Sequence, residues 1–149
     1  MRALLQRVKS AAVEVEQIRI ASIGPGLLVF LGVEEKDGPE DFEYLLKKVP
    51  NLRIFADAEG KMNRSVQEVN GSLLVVSQFT LYADCSKGNR PSFFQAAKPE
   101  KAQLTYQKFI LKLRELGLVV QEGKFGADMA VEILNDGPVT ILLDSRESE

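Results

Sequence analysis

The stretch Gly24-Pro25-Gly26-Leu27-Leu28-Val29-Phe30-Leu31-Gly32-Val33 decides the fold. Its Gly-Pro-Gly opening is a strong turn signal. The residues after the turn are apolar without alternation, which suits a central strand buried on both faces. Upstream, Val13-Glu14-Val15-Glu16 alternates apolar and charged residues, the pattern of a half-buried strand. Downstream, Asp37-Gly38-Pro39-Glu40 reads as a helix start, with a capping residue, an early proline and an acid in the first turn. Phe42, Leu45, Leu46 and Val49 then recur at helical spacing, the stripe of a helix lying on a sheet.

The rest of the chain continues in the same manner. Asn70-Gly71 marks a turn into the strand Leu73-Leu74-Val75-Val76. A second helix is predicted from about Pro99 to Leu116, with Ala102, Tyr106, Phe109 and Leu113 buried and Gly117 placed to end it. The tail reads as two strands, Met129 to Leu134 and Val139 to Leu143, joined by a short turn at Asn135-Asp136-Gly137-Pro138. Strands outnumber helices and sit in neighbouring runs. The expected fold is therefore α+β, a single domain over residues 1–149 with a largely antiparallel, barrel-like sheet and two main helices.

Composition bounds the function. With 149 residues, 45% apolar and 27% charged, the chain is ordinary for a soluble globular domain with a real core. No apolar run approaches the roughly 20 residues of a membrane helix, and the opening Met1-Arg2-Ala3-Leu4-Leu5-Gln6-Arg7 does not read as a signal peptide. A single cysteine, Cys85, forbids an internal disulfide, so a cytoplasmic location is expected. The net charge of −2 argues against a wide nucleic-acid footprint but leaves room for a grip on one end of an RNA.

The histidine count is zero. That excludes a Ser-His-Asp triad, a Cys-His pair and a histidine-ligated zinc site. The remaining tools are hydroxyls, amides, backbone groups, tuned carboxylates or lysines, or the substrate itself.

Two segments do not look like scaffolding. In Ser77-Gln78-Phe79-Thr80-Leu81-Tyr82-Ala83-Asp84, followed by Lys87-Gly88-Asn89-Arg90-Pro91-Ser92-Phe93, a buried strand ends abruptly in hydroxyl, amide and charged groups. The alternative is an ordinary strand end with its polar groups turned to the backbone. The second segment is Asn135-Asp136-Gly137-Pro138-Val139-Thr140. It reads either as a hairpin tip or as a fixed Gly137-Pro138 peptide, cis or trans, whose carbonyls point outward as receptors. Spacing alone does not choose. Cys85 lacks a histidine partner, and Glu34, Glu35 and Asp37 form an acidic loop that fits solvation as well as a cation.

These two segments closely resemble the signature motifs of D-aminoacyl-tRNA deacylases. The likeness extends to Met1-Arg2-Ala3, Gln6-Arg7-Val8, Gly60-Lys61-Met62-Asn63 and Gly126-Ala127-Asp128-Met129, and so to essentially the full length. The resemblance implies a homodimer with active sites at the subunit interface, no cofactor and no metal. It implies hydrolysis of the ester of D-aminoacyl-tRNA at the 3′ acceptor end, and of glycine mischarged on tRNA-Ala. Gly137-Pro138 resembles the Gly-cisPro motif that enters the partner's pocket and receives the α-amino group, with Arg7 holding it. An L-enantiomer is rejected there sterically. No membrane or DNA partner is implied.

For the chemistry the resemblance offers two mechanisms. In one, Thr80 is the nucleophile and Gln78 places the carbonyl. In the other, backbone N–H groups near Phe79 and Thr80 stabilise the oxyanion while the terminal 2′-hydroxyl positions or activates water. The second is preferred because a threonine nucleophile needs a base, and the motif strand offers none. Ser77 and Phe125 are expected around the amine and the adenosine. Competing functions are a non-catalytic RNA- or protein-binding homodimer on the same fold, and a free D-amino-acid or peptide hydrolase using Cys85 or Thr80.

Overall fold

In the computed structural model, which describes residues 1–147, the strand predicted to be central is central. This strand, β3 (Gly26–Gly32), lies mid-sheet, and its Leu27, Leu28, Val29 and Leu31 are at most 1% exposed. β1 (Arg2–Val15) pairs antiparallel with it, from Arg2↔Gly32 to Val8↔Gly26. β1 then outruns β3 and pairs its far end with β2 (Ile18–Ile23). On the other side of β3 come β6 (Ser72–Ser77) and β7 (Val119–Glu122). The sixth strand of this sheet, β8 (Ala130–Asp144), covers the remaining edge of β1. A separate small ribbon is made by β4 (Phe55–Ala56) and β5 (Met62–Arg64).

The expected largely antiparallel sheet is corrected to a mixed one: β3–β6 and β6–β7 are parallel. A helix lies between each of these pairs, α1 (Pro39–Lys48) and α2 (Pro99–Glu115). A helical crossover carries the chain back to the end of the sheet where the preceding strand began, so the next strand runs parallel.

Alternation along these strands divides two cores. Leu27, Val29, Leu73 and Val75 face the helices, meeting Phe42, Leu45, Phe109 and Leu113. Leu28, Leu74 and Val76 face the other way, onto Val8, Val13, Ala21 and Ile23 of β1 and β2. The sheet thus curls over its own inner face into a nearly closed barrel. Gly26 permits the tight β3–β6 approach, since a Cβ there would lie 1.8 Å from the carbonyl oxygen of Ser72.

Both helices follow their predicted stripes. Ala102, Tyr106, Phe109 and Leu113 are buried on α2, and Gly117 beyond its end adopts φ +89°. The capping residue at the start of α1 differs from expectation. Gly38 is the N-cap, and the carboxylate of Asp41 accepts its N–H at 2.9 Å. Asp37 is engaged elsewhere, accepting the Met1 ammonium and the Glu34 N–H, each at 2.7 Å.

The predicted turn between two terminal strands is also corrected. β8 is a single strand whose two halves both pair with β1. Val8 pairs with Asn135 and Gln6 with Thr140, so residues 136–139 bulge out opposite Arg7 alone. The Asn135 amide closes the base of the bulge, donating to the carbonyls of Arg7 (2.9 Å) and Val139 (3.1 Å).

Candidate functional site

β3 and β6 run side by side in the same direction, and a cleft of about 690 Å³ opens where β6 ends. Crevices at the carboxyl ends of parallel strands are common ligand sites, because the sheet holds the loop ends rigidly. Ser77, Gln78, Phe79, Phe93 and Phe125 line the cleft. Past Ser77 the chain stays pinned to the sheet by Gln78 N–H donating to the Leu31 carbonyl (2.8 Å). It then enters a 3₁₀ turn, Phe79–Tyr82. The N–H groups of Phe79 and Thr80 open this turn and so have no acceptor within it. They hydrogen-bond to no other described residue.

The Gln78 amide donates to the Thr80 hydroxyl at 2.5 Å. Thr80 is exposed beside the cleft, and among the described residues no carboxylate or amine hydrogen-bonds to its hydroxyl. Phe79 meets Phe93 edge-on at 5.1 Å, forming one aromatic wall. Phe125, also in the lining, leans on Tyr106 at 6.0 Å. The Tyr106 hydroxyl is buried and donates to the Val75 carbonyl at 2.8 Å, fixing α2 to β6.

A residue that sequence reasoning gave no role holds the turn from behind. The guanidinium of Arg2 donates to the Leu81 carbonyl and to Asp144, each at 2.8 Å. It also lies 4.6 Å above the Tyr82 ring. Burial, with Asp37, Asp144 and Glu34 nearby, pushes the Tyr82 hydroxyl well above its ordinary range. The start of β1 and the end of β8 therefore brace the turn that carries Phe79 and Thr80.

Arg7, Gly137 and Pro138 are not brought to this cleft. Ser77 lies level with Leu31 and hence with Ala3, whereas Arg7 lies level with Leu27. Four residues along a strand are about 13 Å; β3 also lies between β6 and Arg7, and both β3 and β1 lie between β6 and Gly137-Pro138. At its own end of the sheet the Gly137-Pro138 peptide is cis and exposed. Arg7 holds the bulge, donating to the carbonyls of Asp136 (3.2 Å) and Ile54 (2.7 Å), with the Asp136 carboxylate 3.4 Å away. Gly137 has φ +128°, and a Cβ there would meet Val139 at 2.9 Å and Arg7 at 3.0 Å.

The weaker candidates have other partners. Glu34 pairs with Arg146 (3.0 Å), Glu35 accepts the Lys98 N–H (2.9 Å), and Asp37 holds the N-terminus. Cys85 is exposed in the loop after the turn. Among the described residues there is no group of three side chains suited to hold a metal ion, and no helix long and apolar enough to cross a membrane.

Fold and cleft together define a class: a small α+β protein with a preformed crevice at strand ends, bordered by amide, hydroxyl and N–H groups. Within that class the chain belongs to the D-Tyr-tRNA(Tyr) deacylase family, whose model matches residues 4–144. It is 57% identical over 145 residues to the D-aminoacyl-tRNA deacylase of Thermotoga petrophila (strain ATCC BAA-488 / DSM 13995 / JCM 10881 / RKU-1), covering 97% of each chain. It is 54% identical over 145 residues to that of Shouchella clausii (strain KSM-K16), covering 97% of this chain and 99% of the relative. The solved structure of a protein named c-Myc DNA Unwinding Element Binding Protein superposes with a TM-score of 0.91 at 42% identity, covering 97% of this chain and 98% of that one. A second, described as a probable eukaryotic D-amino acid tRNA deacylase, shares the fold with a TM-score of 0.78 at 21% identity, covering 96% and 98%.

Proposed function

We propose that this protein hydrolyses the ester linking a D-amino acid, or glycine mischarged on tRNA-Ala, to the 3′ end of tRNA, as one catalytic domain working in the cytoplasm. The observation that carries this reading is the end of β6. Two unsatisfied N–H groups, Phe79 and Thr80, stand beside the Gln78 amide at an aromatic-walled cleft. An aminoacyl ester is already activated, so such a site needs to hold its carbonyl and stabilise the oxyanion. Thr80 without a base is a weak nucleophile. The 2′-hydroxyl of the terminal adenosine is then the group that positions or activates water. Ser77 and Phe125, both in the lining of the cleft, are assigned to the amine and the adenosine.

The working unit is a homodimer in this reading. Gly137-Pro138 is exposed and far from its own chain's cleft, so only a second copy brings it to one. β8 also leaves Leu134 and Leu142 55% and 54% exposed, which suits burial in an interface. The carbonyls of the bulge receive the substrate's α-amino group, and the backbone excludes an L side chain.

A binding-only homodimer is the second reading, favoured by the 42% identical structure, whose protein is named for binding a DNA element. Incubation with D-tyrosyl-tRNA separates the two. Release of free D-tyrosine and intact tRNA, well above the spontaneous rate, is expected. No acceleration under enzyme excess would leave the binding-only reading standing.

A further inference from the structure

Phe94 is 93% exposed, the most exposed of the large apolar side chains. It does not sit on a frayed segment. The Ala96 N–H donates to the Phe93 carbonyl (3.1 Å), closing a turn with Phe94 at its corner. That turn is pinned to the body of the protein by Glu35 N–H donating to the Gln95 carbonyl (3.1 Å). Its neighbour Phe93 lines the cleft. A pinned turn thus holds an aromatic ring in solvent at the cleft's edge.

The loop just before it carries cations. Asp84 and Ser92 exchange backbone hydrogen bonds at 2.7 and 2.9 Å, so residues 85–91 form a loop with a closed base. Lys87 and Arg90 are exposed on it and make no ion pair among the described residues. Asp84, the acid at its base, is occupied: its carboxylate accepts from Ser86, which holds it below the ordinary carboxylate range. Lys98 at the cleft's edge and Lys124 beside Phe125 are likewise exposed and unpaired among the described residues. In a chain of net charge −2, these cations border a cleft that also carries one acid, Asp128, in its lining.

We propose that this rim is an RNA-contacting surface, on which Phe94 stacks with a base of the single-stranded 3′ tail and Lys87 and Arg90 contact its phosphates. An exposed aromatic ring beside unpaired cations is the arrangement that holds single-stranded nucleic acid without reading sequence, because every base offers a π-face and every nucleotide a phosphate. The small footprint agrees with the acidic net charge. The substrate assignment rests on the reading above; the surface itself is tested by binding alone.

The probe is uncharged tRNA, with a blunt-ended RNA duplex of similar length as control. Phe94→Ala is expected to weaken tRNA binding about tenfold, within the range for loss of one base–aromatic stack. Phe94→Trp should restore it. The Lys87→Ala/Arg90→Ala pair should lower the salt dependence of log K by about 1.4, two single-strand phosphate contacts. Binding of the blunt duplex should be little affected by Phe94→Ala. KM for D-aminoacyl-tRNA should rise in all the weakened variants, with kcat for a D-aminoacyl-adenosine unchanged. Wild-type tRNA affinity and salt dependence in properly folded variants would overturn the proposal. So would a Phe94→Ala protein that loses dimers by light scattering, since the ring would then belong to an interface between copies. RNA binding that depends on Phe94, in a protein that hydrolyses no D-aminoacyl-tRNA, would leave this surface standing and refute the enzymatic reading.

Discussion

Replacing Arg7 by methionine keeps much of the side-chain stem and removes the guanidinium that holds the Gly137-Pro138 bulge. Two hydrogen bonds from a charged donor are lost, at 3.2 Å to Asp136 and 2.7 Å to Ile54. The side chain is only 13% exposed, so water restores little of this. Hydrogen bonds to charged groups contribute about 1.5–3 kcal/mol each. The two bonds share one side chain, so their contributions do not simply add, and a loss of roughly 2–4 kcal/mol is expected. Urea denaturation measures that loss. The same variant should lose discrimination between D- and L-aminoacyl-tRNA, because an untethered bulge no longer presents a fixed wall. Arg7→Lys should recover only part, since one ammonium cannot reproduce a fork reaching two carbonyls in different directions. A variant within about 0.5 kcal/mol of wild type, with full chiral discrimination, would refute the tether.

The remaining predictions concern the cleft and the core. Thr80→Ala should keep substantial deacylation while a 2′-deoxy terminal adenosine reacts far more slowly; loss on the order of 10⁴-fold in the variant, with the deoxy substrate normal, would make Thr80 the nucleophile. Cys85→Ala, or added chelator, should leave turnover within about twofold, and a large loss from either would bring thiol or metal chemistry back. Tyr106→Phe should cost about 0.5–1.5 kcal/mol in urea denaturation, the net value of one hydrogen bond, because the Val75 carbonyl loses its 2.8 Å donor and keeps only the Gly123 N–H at 3.2 Å; unchanged stability would mean that the Gly123 bond alone satisfies that carbonyl. Stability should also fall in acid. Asp144 and Asp41 lie below their ordinary 3.8: burial raises each, but it is outweighed for Asp144 by the Arg146 N–H and Arg2, and for Asp41 by the Gly38 N–H, the Ser145 hydroxyl and the Met1 ammonium. Carboxylates so lowered stabilise fully above the unfolded value and lose that contribution as pH falls through the folded one. The urea midpoint should therefore hold from about pH 7 to 5 and decline below about pH 4, a decline that Asp144→Asn with Asp41→Asn should flatten.

Much of the fold is legible in the sequence because periodicity reports burial directly. The unbroken run Leu27–Val33 and the stripe Ala102, Tyr106, Phe109, Leu113 name their elements without help from the rest of the chain. Periodicity does not name a strand's partner. The parallel pairing of β3 with β6 depends on where α1 returns the chain, and no local pattern encodes that. The tail misleads for a related reason. Asn135-Asp136-Gly137-Pro138 has the composition of a turn because those residues do leave the ladder. Only the pairing of both flanks with β1 shows that the chain does not reverse. At the site, the abrupt end of β6 after Val76 is visible as a change from apolar to polar residues. Arg2 is not, because its partners Leu81 and Asp144 lie 79 and 142 residues away. Phe94 reads in sequence as one more apolar residue, and its exposure arises only from the turn that holds it outward.

The enantiomer comparison tests the central claim most directly. With enzyme in excess over substrate, single-turnover rates are measured for D-tyrosyl-tRNA and L-tyrosyl-tRNA prepared on the same tRNA. The expected result is rapid release of the D-amino acid and L-ester decay at the spontaneous rate, with the distinction lost on dilution to monomer. Equal rates for the two enantiomers, or a fully active and selective monomer, would contradict it.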